Sequence, residues 1–391
     1  MKIKQVVYLT QTSFSKRDKD RFGIDVFLKY GIDVVVMDVT AYMDAQVAKK
    51  YILNEQNSYD CVKEFSTYRE IEKFILSCNK DSVFISFIGE SSFKSLRVLN
   101  LLYKYKKEFG IILSGSLPAT NRKYGIAEKL KLLSFKNIIR LAGKAFYMFF
   151  FNKFKYSFVI ASGEESYNII KNRYKDAMVI DGHAFDYDLY LQKHRDACLF
   201  QKEDYAVFLD EFFPFHPNYI RHGVDYSHFA ESYYRKLSTF FDHIEKVFNL
   251  KVVISAHPRS YYDKLPDYWN GRKFIIGNTV DLVKNSKICI LHASTSVNFA
   301  VLYTKALFFV TMQEIKNSNL QSMLEAMSKE LKSTIIDMDD FDENINLGID
   351  YDESSYELYK SRYIKLKGNP DINNWELLYN NLLTRKDGND E

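Results

Sequence analysis

The sequence predicts an α/β protein of two Rossmann-like domains, each built on a parallel sheet, with a cleft between them. Three observations predict it. Apolar strand runs alternate with helical spacing in both halves of the chain. A polar, aperiodic stretch at Gln192–Asp204 interrupts that alternation once, and 391 residues exceed one ordinary core. The domains divide as residues 1–200 and 201–391.

Lys4–Leu9 reads as an apolar strand. Lys16–Tyr30 has helical spacing with Phe22, Val26 and Phe27 on one side, and Asp33–Met37 is a second strand, a β-α-β start. The more polar region Ala41–Asn79 reads as mainly helical. Ser82–Phe87, the helix Ser92–Phe109 and Ile111–Leu113 continue the alternation. Tyr156–Ile160 is a strand feeding a helix for which Ser162 is the expected cap, and Met178–Ile180 is the last strand of this half. The second alternation runs through strands at 206–209, 252–255, 274–276, 288–291 and 307–311, with helices at 227–248, 280–284 and 296–303. Strands separated by helices require crossovers, hence a parallel sheet. Ser354–Leu366 and Asn373–Leu383 close the chain as two helices, broken at Gly368 and Pro370.

Composition excludes several classes. With 47% hydrophobic residues and six prolines the chain is not disordered. Four cysteines without metal-ligand spacing fit reduced thiols rather than zinc or disulfides. The first apolar run is too short for a signal peptide, so the expected location is the cytoplasm. A net charge of +4 without a basic stripe argues against a nucleic-acid partner. One stretch stands apart. Glu128–Lys155 places the nearly continuous aromatic run Phe146–Phe151 beside Lys144, Lys153 and Lys155, the make-up of a helix lying on the inner face of the cytoplasmic membrane, although a buried helix with solvated lysines fits equally well.

Three strand ends in the second half are polar. Ala206–Leu209 delivers Asp210 and Glu211, Lys251–Pro258 delivers His257, and Lys287–Ser296 delivers Ser294, Thr295 and Ser296. Ligands of open parallel sheets bind outside the carboxyl ends of the strands, so these ends point to one cleft. A carboxylate there serves as a general base. A histidine followed by Pro258 and Arg259 stabilises a leaving phosphate, and hydroxyls between strand and helix hold one. Each group also has a structural reading, as a cap or a loop tie, and His292 and Asn298 lie close enough to contribute. No G-x-G-x-x-G, P-loop, H-E-x-x-H or G-x-S-x-G pattern occurs.

The order of an acidic pair, an HP dipeptide and a Ser/Thr-Ser run resembles the bacterial sialyltransferases of the GT-B fold. The resemblance covers mainly Ala206–Thr311 and departs at Phe212, where the family pattern has glycine. It implies transfer of a nonulosonic acid, sialic acid-like or Kdo-like, from a CMP-activated donor to a hydroxyl of a bacterial surface glycan, including a lipid-linked one. It further implies Asp210 as base, favoured over Glu211, His257 assisting the leaving phosphate, and Pro258, Arg259 and Ser294–Ser296 around that phosphate. No cofactor and no essential metal are expected. Two other readings are a CDP-glycerol-type glycerophosphotransferase and a non-catalytic, membrane-associated glycan assembly factor.

Overall fold

The structure, a computed structural model, describes residues 3–45, 48, 59–90, 92–113, 117, 118, 154–195, 204–216, 219, 224–318, 320–342, 345 and 347–387. Seven strands of the first half form a parallel sheet: β1 Gln5–Thr10, β2 Asp33–Asp38, β3 Val62–Glu64, β4 Ser82–Ser86, β5 Glu108–Ile112, β6 Phe158–Ala161 and β7 Met178–Asp181. Their order is β3-β2-β1-β4-β5-β6-β7. The second half gives β8 Tyr205–Leu209, β9 Lys251–Ala256, β10 Phe274–Ile276, β11 Ile288–Leu291, β12 Ala306–Thr311 and β13 Ile335–Asp337, in the order β10-β9-β8-β11-β12-β13. The central strands β4 and β8 are buried along their whole length, because helices cover both faces of a parallel sheet. Growth of each sheet reverses beside its first strand, which places a topological switch point between β8 and β11 in the second.

Several elements differ from expectation for local reasons. The Lys16–Tyr30 helix is two, Lys16–Arg21 and Ile24–Lys29, parted by Gly23 at φ 54°. A Cβ on Gly23 would lie 1.9 Å from the Trp375 indole, whose Nε1 donates to the Arg21 carbonyl at 2.7 Å. The region Ala41–Asn79 is mainly helical where described, but it also holds a strand. It holds the short helix Thr40–Met43, then β3, then the helix Tyr68–Ser77. β3 is an edge strand of sequence VKE with one apolar residue, too short for any alternation to show. The Ser92–Phe109 helix stops at Lys104, ahead of Lys106 at φ 50°, which frees Glu108 to start β5. Ser162 does not cap: its hydroxyl donates to the Leu113 carbonyl, and Gly163 takes the cap position because a Cβ there would meet the Arg362 carbonyl at 2.3 Å. A helix at Phe185–Arg195 occupies the start of the expected linker, and residues 196–203 lie outside the described residues.

The two halves are tied together. Arg362 pairs with Glu165 of the first half at 2.8 Å and grips Glu330 of the second with two bonds of 2.6 and 2.7 Å. The closing helix Asn374–Asp387 crosses back, packing Trp375, Leu378 and Leu382 with Val6, Tyr8 and Phe27 in the first domain's core. The Glu128–Lys155 stretch lies outside the described residues except for Phe154 and Lys155, and Lys155 pairs with Asp176 at 2.7 Å. Among the described residues no helix is long and apolar enough to cross a membrane.

Candidate active site

β8 lies between β9 and β11, with Leu209 opposite both Ser255 and Leu291, so the three polar strand ends are immediate neighbours. The Asp210 carboxylate is buried and committed on both oxygens. Oδ1 accepts from the Phe212 N–H at 2.8 Å. Oδ2 accepts from the His257 N–H at 3.2 Å and the Tyr262 hydroxyl at 2.9 Å. Burial still pushes its pKa up to about 6, against the pull of those donors. Asp210 therefore ties the end of β8 to the turn after β9. Both oxygens of the carboxylate expected to face an acceptor hydroxyl thus already accept hydrogen bonds from the protein.

Glu211 differs. It is half-buried, and Oε1 accepts from the Ala293 N–H at 2.7 Å, bridging β8 to β11 at the switch point. Its Oε2 makes no hydrogen bond among the described residues. Burial, with the Asp210 charge adding to it, pushes the Glu211 carboxyl well above its usual range. A carboxylate oriented through one oxygen and open at the other has the form of a general base.

Phe212 stands at φ 54° and ψ 36°, the left-handed conformation that glycine adopts freely. A phenylalanine thus holds a backbone conformation that costs glycine nothing. The Phe212 N–H bond to Asp210 and a wholly buried ring, edge-on to Tyr261 at 4.9 Å and Tyr262 at 5.1 Å, offset the strain. We expect Phe212→Ala to destabilise the protein by about 3–5 kcal/mol, since the ring is lost and the strain stays. Phe212→Gly should recover about 1 kcal/mol of this. Urea unfolding measures both, and a loss below about 1 kcal/mol for the alanine variant would mean that the ring does not hold the loop.

His257 leaves β9 into a turn closed by the Ser260 N–H on the His257 carbonyl at 2.8 Å, with Pro258 at the position where a fixed φ suits. Its Nδ1 accepts from the Arg259 N–H at 3.1 Å, which leaves the proton of the neutral ring on Nε2. Burial lowers its pKa to about 3, helped by the His216, Arg259 and Arg17 charges, so the ring is a neutral donor. His216 was missed by the sequence reading. Its ring stands 4.9 Å from that of His257, centroid to centroid, and burial followed by the Arg259 charge lowers it to about 4. The signal was available: the loop spells a second HP dipeptide, His216-Pro217, like His257-Pro258.

Ser294 and Ser296 are half-buried and Thr295 is exposed. The Ser294 hydroxyl accepts from the Ser296 N–H at 3.3 Å, and no hydrogen bond of the Thr295 or Ser296 hydroxyl occurs among the described residues. His292 and Asn298 do not join them. The buried His292 ring is held by the Tyr233 hydroxyl at 2.8 Å and the Val310 carbonyl at 2.6 Å. Asn298 donates to Asp186 at 3.0 Å, and Asp186 in turn pairs with Arg21 of the first domain at 2.8 Å.

Two parallel Rossmann sheets, with the second domain's polar strand ends turned to the intervening cleft, define a GT-B fold. A solved structure of the wall teichoic acid polymerase TagF shares it, with a TM-score of 0.53 at 10% identity over 98% of this chain and 90% of that one. The UDP-GlcNAc 2-epimerase from Methanocaldococcus jannaschii superposes with a TM-score of 0.47 at 12% identity, over 98% of this chain and 99% of that one. No protein-family model matches the chain, and no curated protein matches it.

Proposed function

We propose that the protein is a GT-B transferase that moves a nonulosonic acid from a CMP-activated donor to a glycan hydroxyl, with Glu211 as base. The acceptor oxygen bonds to the anomeric carbon and its proton passes to Glu211 Oε2. The bond from that carbon to the phosphate oxygen breaks, and its electron pair leaves with CMP. The Nε2–H of His257 and the hydroxyls of Ser294, Thr295 and Ser296 face the charge that develops on the departing phosphate. The adjacency of the three strand ends across β9, β8 and β11 is the observation that carries this reading. It moves the base from Asp210, whose oxygens are occupied, to Glu211, which has one to spare.

A second reading is glycerophosphate transfer from CDP-glycerol, again with CMP leaving. The fold shared with a wall teichoic acid polymerase favours it. Release of CMP from CMP-sialic acid, against release from CDP-glycerol, decides between the two, and release from neither in the presence of glycan acceptors would sink both. We expect EDTA to leave the activity unchanged, because a histidine and hydroxyls can neutralise one leaving phosphate; activity lost to EDTA and restored by Mg²⁺ would overturn that. His257→Ala should lower turnover by about 10²-fold and also weaken CMP binding, because one group serves both. Unaltered CMP affinity and turnover in this variant would return His257 to a structural role.

A further inference from the structure

The hydroxyl run Ser294–Ser296 is tied to the first domain through three polar side chains that the chemistry above does not use. The backbone of the run closes on itself: the Val297, Asn298 and Phe299 N–H groups donate to the Ser294, Thr295 and Ser296 carbonyls, each at 3.1 Å. Asn298, wholly buried, therefore meets the run through its own backbone. Its side chain makes one hydrogen bond among the described residues, from Nδ2 to Asp186 Oδ2 at 3.0 Å. Asp186 is buried too, in the first turn of the helix Phe185–Arg195, and its other oxygen pairs with Arg21 at 2.8 Å. The Arg21 guanidinium has no other hydrogen bond among the described residues. Arg21 is in turn fixed within the first domain. Its carbonyl accepts from Trp375 Nε1 at 2.7 Å, and the carbonyl of the next residue, Phe22, accepts from the Tyr8 hydroxyl on β1. The path from β1 to Thr295 thus passes through one carboxylate, each of whose oxygens takes a single charge-assisted bond of defined direction.

We propose that Asp186 is a positioning residue: gripping Arg21 with one oxygen and Asn298 with the other, it sets the Ser294–Ser296 run in register with the first domain, so that the hydroxyls hold an anionic leaving group when the two domains keep this arrangement. Without Asp186 the buried Asn298 amide would lose its one hydrogen-bond partner, a cost large enough to shift the turn in which it sits. Coupling of this kind is reciprocal, so an anion held by the hydroxyl run favours the Arg21–Asp186 contact in return. The identity of that anion as a nucleotide phosphate rests on the transferase reading. The tie between Arg21 and the run does not.

Hydrogen exchange read by mass spectrometry tests the tie without any ligand. Arg21→Met keeps the apolar stem and removes the charge. It should speed exchange across residues 292–299 about tenfold and leave the neighbouring strand Ala306–Thr311 unchanged, and Arg21→Lys should recover part of the effect. If Arg21→Met instead loosens the whole second domain, the double variant Arg21→Met/Asp186→Asn, which leaves no carboxylate buried alone, is read in its place. Exchange at residues 292–299 within about twofold of the wild type overturns the proposal. So does an equal rise along Ala306–Thr311 in the double variant, the mark of a purely structural tie. Titration with CMP reads the consequence for the anion. Affinity should fall about tenfold in Arg21→Met, although the Arg21 side chain bonds only to Asp186 among the described residues, and return in part in Arg21→Lys. If the wild type binds CMP and Arg21→Met binds it equally well, the positioning role is overturned even where exchange has risen. If the wild type ignores CMP while exchange at residues 292–299 depends on Arg21, the cytidine reading fails and the tie stands.

Discussion

Glu211→Gln should lower turnover about 10²–10⁴-fold while CMP binding stays nearly intact, the range in which a positioned general base acts. The amide keeps the shape of the side chain and an oxygen for the Ala293 N–H, so the link between β8 and β11 survives. What it loses is the basic lone pair on the other oxygen. The pH profile gives an independent check. A base works when deprotonated, so kcat/KM should rise with pH through the Glu211 pKa, and burial displaces that rise above the ordinary glutamate range. In the glutamine variant this limb of the profile should vanish. Full activity in Glu211→Gln would leave the reaction without a base among the residues at these strand ends.

Asp210→Ala should cost about 3 kcal/mol or more of stability, because the Phe212 N–H, the His257 N–H and the Tyr262 hydroxyl would all lose a buried acceptor together. Its turnover should fall as well, but through the geometry of the His257 turn rather than through proton transfer. Asp210→Asn separates the two roles. Its amide oxygen satisfies one donor and its NH₂ opposes another, so we expect a lower melting temperature, weaker CMP binding and a pH profile that keeps its basic limb. A dead Asp210→Asn enzyme with wild-type melting and wild-type CMP affinity would restore Asp210 as the base.

Much of this site was legible before any coordinates. Asp210, Glu211, His257 and Ser294–Ser296 each end an apolar run, and a polar residue at a buried strand end has few places to go except a cleft. Which of the acidic pair takes the loop's hydrogen bonds was not legible. Adjacent residues at a strand end turn to different sides, and which side holds the donors depends on residues 47 and 52 positions away in the chain. His216 was overlooked for a related reason: its partner ring belongs to His257, on a different strand end. Phe212 looked like a departure from the glycine of the resemblance. The backbone there takes the left-handed conformation open to glycine, held by an aromatic pocket whose walls, Tyr261 and Tyr262, come from the loop after β9.

By itself the sequence determined the fold class and the polar strand ends, because strand and helix periodicities are local properties and a parallel sheet follows from their alternation. The edge strands β3 and β13 escaped it, because VKE and IID carry charged residues, while the all-apolar edge strand β10 did not. The tertiary structure alone decided which strands are neighbours and which carboxylate is tied into the loop. It also decided that Trp375, near the end of the chain, needs Gly23 near its start. These are long-range contacts, set by the packing of both domains together, and no window along the chain contains both partners.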